Sequence, residues 1–432
     1  VSAQTSYVAD PGRIATLAQQ IRRGDLTASA LLERCLARIE AVDPHVQAWR
    51  LVAHDSARAE AAALDREAKE GKWRGPLHGI PIGIKDIIDV AGITTLANSR
   101  SRAGIKPATA DADIVAALRL AGAVILGKTH TTEFAYFDPS PARNPHHIGH
   151  TPGGSSSGSG AAVGAGMVPL AIGTQTVASV NRPAAYCGVA AFKPSTGSTC
   201  THGATPLSPV FDTIGFYGAT VPDAVALYEA ITPGFMAPDD GKGPRMIVRL
   251  EDPALVSCDP EILAAVAGEA DRLAAAGHSV RSAASPESWA TLFEVQVRVM
   301  QYEAARIYRS ALDLPNGQIG AKLREMLALG LTWSDDVYRR DRHYLAAARA
   351  RFWAAFADAD AILFPAAPLT APAGLASTGD PRYISPWTAL GGPILTQPIG
   401  FHSNAMPIGM LVCGRPGSDR ALGRIACALA AV

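Results

Sequence analysis

Thr151-Pro152-Gly153-Gly154-Ser155-Ser156-Ser157-Gly158-Ser159-Gly160 lies inside a run from Asn144 to Asn181 that holds no Asp, Glu, Lys or Arg. A run so rich in Gly and Ser is too polar and too breakable to span a membrane. Between Ala161 and Ile172 it is also too apolar to be a flexible linker. It reads instead as a buried, tightly turned segment that gathers hydroxyls and backbone N–H groups in one place. Gly173-Thr174-Gln175-Thr176-Val177-Ala178-Ser179-Val180 belongs to the same run, and Gly79-Ile80-Pro81-Ile82-Gly83-Ile84-Lys85-Asp86 lies upstream of it. Together the three stretches supply a lysine and two serines in settings that fit acyl transfer.

Outward from these stretches the texture alternates. Short apolar runs bounded by Gly and Pro predict buried strands at Ile80–Ile84, Ala123–Leu126, Val168–Ile172 and Ala361–Phe364. Helical periods are expected over 11–22, after a Thr27 cap, over 57–70 and over 113–121. A helical region is expected from about 259 to 358, started by Asp259-Pro260-Glu261 and continued from Ser334 through Phe356. Strand and helix alternation predicts an α/β fold with a largely buried sheet. Without a repeat or a linker, the 432 residues read as one domain with a helical excursion.

An apolar fraction of 48% with 18% charged residues fits a large core. Basic and acidic residues balance at 39 each, so no global field favours nucleic acid or an anionic membrane. The six scattered cysteines form no C-x-x-C pair and no disulfide framework, which fits reduced thiols in a cytoplasm. No stretch is long and apolar enough for a membrane helix, and the start shows no signal-peptide pattern.

A serine hydroxyl is a weak nucleophile until a base takes its proton, and a lysine serves as that base when burial disfavours its charged form. Lys85 follows an apolar run and so arrives in apolar surroundings. Gly153-Gly154 gives the chain before Ser155 a freedom that residues with a Cβ lack. The small side chains of Thr176, Val177 and Ala178 before Ser179 let successive N–H groups face a developing oxyanion.

This combination resembles the amidase signature family. The resemblance is carried by Gly79 through Asp86, by Gly122 through Thr129 with Glu133-Phe134, and by Arg143-Asn144-Pro145-His146 leading into Thr151 through Ser156. It continues through Gly173 to Ser179, Arg182-Pro183-Ala184, Cys187-Gly188, Lys193-Pro194-Ser195, Phe211 through Gly215, and Gly391-Gly392-Pro393 to Pro407-Ile408-Gly409. It implies a single domain over 1–432, with core signature at about 75–220 and a central mixed sheet flanked by helices on both faces. It further implies a Ser-cisSer-Lys triad with Ser179 as nucleophile, Ser155 as the cis-serine that relays its proton, and Lys85 as base. The N–H groups of Thr176, Val177, Ala178 and Ser179 would form the oxyanion hole. Substrates would be small apolar or aryl amides, esters or carbamates, cleaved by a cytoplasmic monomer or homodimer with no metal or organic cofactor. Candidate substrate contacts are Phe134, Tyr136, Gly154, Gln175, Met300 and Trp333. The chain departs from the commonest family pattern at Gln175, at Val177-Ala178 and at Asn181.

Other readings compete. Gly122-x4-Gly127-Lys128-Thr129 satisfies a P-loop pattern, yet its apolar interior predicts a strand. Gly154-Ser155-Ser156-Ser157-Gly158 satisfies the nucleophile elbow of an α/β-hydrolase esterase, but no strand precedes it. His146, His147 and His150 lie among Pro and Gly rather than on a helix face that would present metal ligands. Gly158-x-Gly160-x3-Gly164 has the outline of a dinucleotide loop without the strand before it. Within the family, the alternative reading is the glutaminase subunit of a tRNA-dependent amidotransferase. Gln301-Tyr302-Glu303-Ala304-Ala305 looks more like a stand-alone amidase.

Overall fold

Ile82 and Ile84 point to one side of a strand and Gly83 to the other, where a Cβ would meet the Trp49 ring at 3.0 Å. That strand is the site's foundation in the computed structural model, which describes residues 6–232 and 243–431. Residues 1–5, part of the start that shows no signal-peptide pattern, lie outside the described residues.

The strands are β1 (Trp49–Val52), β2 (Pro81–Lys85), β3 (Val124–Thr129), β4 (Leu170–Gln175), β5 (Ala190–Lys193), β6 (Thr213–Gly218), β7 (Met246–Glu251), β8 (Ser279–Ala284), β9 (Ala361–Pro365), β10 (Ile394–Phe401) and β11 (Pro407–Cys413). Among the described residues they form one 11-stranded mixed sheet in the order β1-β3-β2-β4-β6-β5-β10-β11-β9-β7-β8. β2 runs parallel to both β3 and β4, while β4 and β6 are antiparallel.

The two faces of the sheet follow the period-2 alternation of its strands. Ile125, Leu170, Ile172 and Phe216 join Ile82 and Ile84 in one core cluster. Val124, Leu126, Ala171 and Tyr217 pack on the opposite face with Leu32, Leu36 and Ile39 of the Ala28–Val46 helix. Strands buried on both faces need apolar residues throughout, which is why β2, β3 and β4 are continuous runs in the sequence.

The four predicted strands are present, displaced by one to three residues toward the C-terminus at most ends. The Thr27 cap accepts from the Ala30 N–H, and Asp259 and Ser334 cap the helices Pro260–Ala275 and Asp335–Ala355. One expectation needs correction: the 259–358 region is not helical throughout. Ser279–Ala284 forms β8, pairing in parallel with β7 at the sheet's edge. Its residues are exposed or half-buried and carry little apolar alternation, so the ladder to β7 rather than the side chains defines it.

The P-loop look-alike enters β3 and ends with it. Gly127, Lys128 and Thr129 are buried strand residues, and Lys128 Nζ is 2.9 Å from the Asp86 carboxylate. The dinucleotide-like glycines lie within the buried helix Ser157–Gly164. Among the described residues, no helix is long and apolar enough to cross a membrane.

Candidate active site

Parallel strands present their C-terminal ends to ligands, and β2 and β4 end side by side. Lys85 closes β2 with no exposed surface. Its Nζ lies 2.7 Å from Ser155 Oγ, 2.8 Å from Thr174 Oγ1 and 3.4 Å from the Thr174 carbonyl. Burial holds this amine well below the ordinary lysine value, and only the Asp212 carboxylate pulls the other way. The adjacent Asp86 is taken up by Lys128 and by Arg50, whose Nε is 3.0 Å away.

Ser155 follows a cis peptide bond from Gly154. Arg182 donates to the Gly154 carbonyl at 2.8 Å, to Thr378 Oγ1 at 3.0 Å and to the Gly379 carbonyl at 2.8 Å. One planar guanidinium therefore ties the serine turn to the 378–379 segment. Behind Ser155 the Ser157–Gly164 helix is wholly buried, which its polar composition permits because its hydroxyls are bonded. Ser157 Oγ donates to the Gly153 carbonyl at 2.8 Å and Ser159 Oγ to the Ile172 carbonyl at 3.0 Å. Gly158 is required by contact: a Cβ there would lie 2.2 Å from the Ala48 carbonyl oxygen.

Ser156, the central serine of the G-x-S-x-G match, has no exposed surface. Its Oγ donates to the Thr174 carbonyl and accepts from the Thr174 N–H, both at 3.2 Å. The segment before it is a loop rather than a strand, so the esterase elbow is excluded.

Ser179 ends the loop that leaves β4. Its Oγ makes no hydrogen bond among the described residues and lines a small, narrow cavity shared with Ser155, Tyr136, Phe137, Met300 and Leu207. The N–H groups of Thr176, Val177, Ala178 and Ser179 likewise donate to nothing among the described residues. The carbonyls of the same loop are held. Gln296 Nε2 donates to the Thr176 carbonyl at 2.9 Å and Thr388 Oγ1 to the Val177 carbonyl at 2.7 Å. A cleft of about 480 Å³, bordered by Ile87, Thr174, Pro206 and Asp212, meets the inner cavity at Ala135, Thr176 and Leu207.

Asp212 accepts hydrogen bonds from Thr176 Oγ1 and from the N–H groups of Leu207 and Ser208, the latter two at 2.8 and 3.0 Å. Burial nevertheless pushes its carboxyl up to about 6.

The structure thus brings together Lys85, Ser155, Ser179 and the 176–179 loop, with Tyr136 and Met300 on the cavity wall. Other predicted contacts fall elsewhere. Gln175 lies behind the loop, where its Oε1 accepts from Val180 and Asn181 N–H at 2.8 and 3.0 Å and its Nε2 donates to Thr388 Oγ1 at 2.9 Å. Gly154 contributes its carbonyl to Arg182 and abuts Thr378. Phe134 packs against Tyr308, ring centroids 4.8 Å apart, with the Arg102 guanidinium 5.0 Å from its ring centre. Trp333 donates to Gln301 Oε1 at 3.0 Å, outside the cavity wall.

Sequence reasoning missed Thr174, Gln296 and Thr388. Thr174 stands in plain view within the Ser179 motif, whereas Gln296 and Thr388 lie far along the chain on helices with no motif. The three histidines are occupied by backbone: His146 meets the Cys187 carbonyl at 3.1 Å, His150 the Ala371 carbonyl at 2.7 Å, and His147 accepts from the Gly149 N–H at 3.0 Å. Among the described residues, no group of three His, Cys, Asp or Glu is arranged to hold a metal ion.

The chain as a whole is similar to known proteins. The Amidase family model matches residues 30–422. A glutamyl-tRNA(Gln) amidotransferase subunit of Synechococcus sp. is 30% identical over 461 residues, covering 93% of each chain. Native peptide amidase from Stenotrophomonas maltophilia is 29% identical with a TM-score of 0.81, covering 96% of each chain. A further amidase crystal structure is 30% identical with a TM-score of 0.87, over 97% of this chain and 99% of its own. The chain belongs to the amidase family, whose fold it shares over nearly its whole length, and is a hydrolase of amide C–N bonds.

Proposed function

We propose that the chain hydrolyses small uncharged amides, with apolar or aryl substituents, through an acyl-enzyme on Ser179. Neutral Lys85 accepts a proton from Ser155, which takes the proton of Ser179 as that oxygen attacks the carbonyl carbon. The new C–O bond places the electron pair on the carbonyl oxygen, where the N–H groups of Thr176, Val177, Ala178 and Ser179 receive it. Collapse expels the amine, which leaves with the proton returned along the same relay. Water, deprotonated by that relay, then attacks the acyl carbon and releases the acid and Ser179. Esters and carbamates fit the same course.

The observation that carries the reading is the 2.7 Å approach of the buried Lys85 amine to Ser155 Oγ beside an unbonded Ser179. The cavity wall supports the substrate class. Tyr136, Phe137, Met300 and Leu207 present rings and apolar side chains, and the one cation bordering them among the described residues, Arg182, has both terminal nitrogens bonded to backbone and Thr378. A second reading, a glutaminase that works within a complex, is favoured by the similarity to the Synechococcus amidotransferase protein. Assay of the isolated chain against aryl amides and against glutamine separates them. Turnover of anilides alone supports the first; turnover of glutamine alone contradicts it.

A further inference from the structure

We infer that Gln296 and Thr388 are positioning residues that aim two backbone N–H groups of the nucleophile loop at the reacting oxygen. The inference rests on Ser179 being the nucleophile. In a trans peptide unit the carbonyl and the following N–H point in opposite directions. Holding the Thr176 carbonyl with Gln296 Nε2 therefore fixes where the Val177 N–H points. Holding the Val177 carbonyl with Thr388 Oγ1 does the same for the Ala178 N–H. Neither N–H has a partner among the described residues, and Val177 and Ala178 both border the cavity containing Ser179.

Both holders are themselves held. Ser385 Oγ donates to Gln296 Oε1, and Gln175 Nε2 donates to Thr388 Oγ1, which leaves the threonine proton for the Val177 carbonyl. Gln175 also accepts from Val180 and Asn181, so one amide side chain clasps the loop after the nucleophile and orients the threonine that clasps it before. Gln296 stands on the helix Trp289–Ile307 and Thr388 on Ser385–Ala389. The two helices are locked by Trp289 against Trp387, ring centroids 5.0 Å apart, with Phe364 against both. An oxyanion hole acts through dipoles fixed before the charge appears, and this packing supplies that fixity. The helical excursion thus tunes reactivity from outside the signature segment.

The test compares Gln296→Met, Thr388→Val and Thr388→Ser with the parent, using an anilide substrate and an arylboronic acid that forms a tetrahedral adduct on the nucleophile. Gln296→Met and Thr388→Val should each lower kcat by about 10- to 100-fold at nearly constant KM, the scale of a weakened oxyanion donor. Boronic acid affinity should fall in parallel with kcat/KM, and Thr388→Ser, which keeps the hydroxyl, should recover most of both. Melting temperatures identify any variant that fails to fold, and the Gln296 and Thr388 variants then stand in for each other. Unchanged kcat in both, with Ser179→Ala inactive, overturns the inference and leaves the nucleophile standing. A kcat loss without a matching loss of boronic acid affinity also overturns it. Full activity in Ser179→Ala overturns the inference together with the reading beneath it.

Discussion

Lys85 Nζ lies 2.7 Å from Ser155 Oγ at the end of a strand with no exposed surface. Among the described residues no carboxylate pairs with the amine: Asp86, its chain neighbour, is paired with Lys128 and Arg50. A lysine desolvated in this way keeps its lone pair at lower pH than free lysine does and can take a proton from a hydroxyl.

The sign of the pH dependence follows. Burial lowers the Lys85 pKa, so the active neutral amine dominates above that value and is lost as pH falls through it. kcat/KM should show an acid limb well below the pKa of free lysine, and Lys85→Met should remove the limb with nearly all activity. The unfolded chain binds a proton here that the folded chain does not, up to about pH 10.4. Lys85→Met should therefore gain stability over the parent at neutral pH, and the gap should narrow as pH rises. Denaturant titrations at several pH values check this, and a gap that widens with pH contradicts a depressed Lys85.

Asp212 acts on the same limb. Its carboxylate favours the Lys85 ammonium, so Asp212→Asn should move the acid limb of kcat/KM to lower pH. The variant should also be slower, because Thr176, Leu207 and Ser208 lose an ionised acceptor. Glu303 also faces Asp212 and stays in place in the variant. A pH–rate profile that does not move would exclude this coupling.

Arg182 binds three acceptors on two segments, and its planar fork is what a lysine cannot copy. Arg182→Lys should lose about 2–4 kcal/mol of stability, the scale of charge-assisted hydrogen bonds lost from a buried site. It should also cost at least about tenfold in kcat, since the Gly154–Ser155 turn would no longer be held. Urea unfolding and steady-state kinetics on the purified variant measure both.

Met300 and Trp333 should behave differently, although the sequence suggests both as pocket residues. Met300 borders the cavity containing Ser179, whereas Trp333 is bonded to Gln301 outside it. Met300→Ala should shift preference toward longer or bulkier acyl groups across a series of anilides. Trp333→Phe should leave that preference and kcat/KM within about threefold, the scale of a change far from the reacting atoms.

The lysine and serines are legible because their chemistry demands unusual sequence: a charge-free Gly/Ser run and a lysine ending an apolar strand. The sheet interior is legible for the same reason, since strands buried on both faces cannot hide their composition. β8 is not, because an edge strand needs a neighbour's ladder more than apolar side chains. Gln296 and Thr388 are not, because an amide or hydroxyl on a helix has no local signature of the carbonyl it meets more than 100 residues away. Gln175 stands out as a departure and reads as a substrate contact, whereas its amide is spent on the loop backbone and Thr388.

The central claim is an activated Ser179, and intact mass after treatment with a fluorophosphonate probe tests it most directly. The account predicts one adduct on the parent chain, none on Ser179→Ala, and slow but detectable labelling of Ser155→Ala. An unlabelled parent, or a Ser179→Ala variant labelled as fully as the parent, would contradict it.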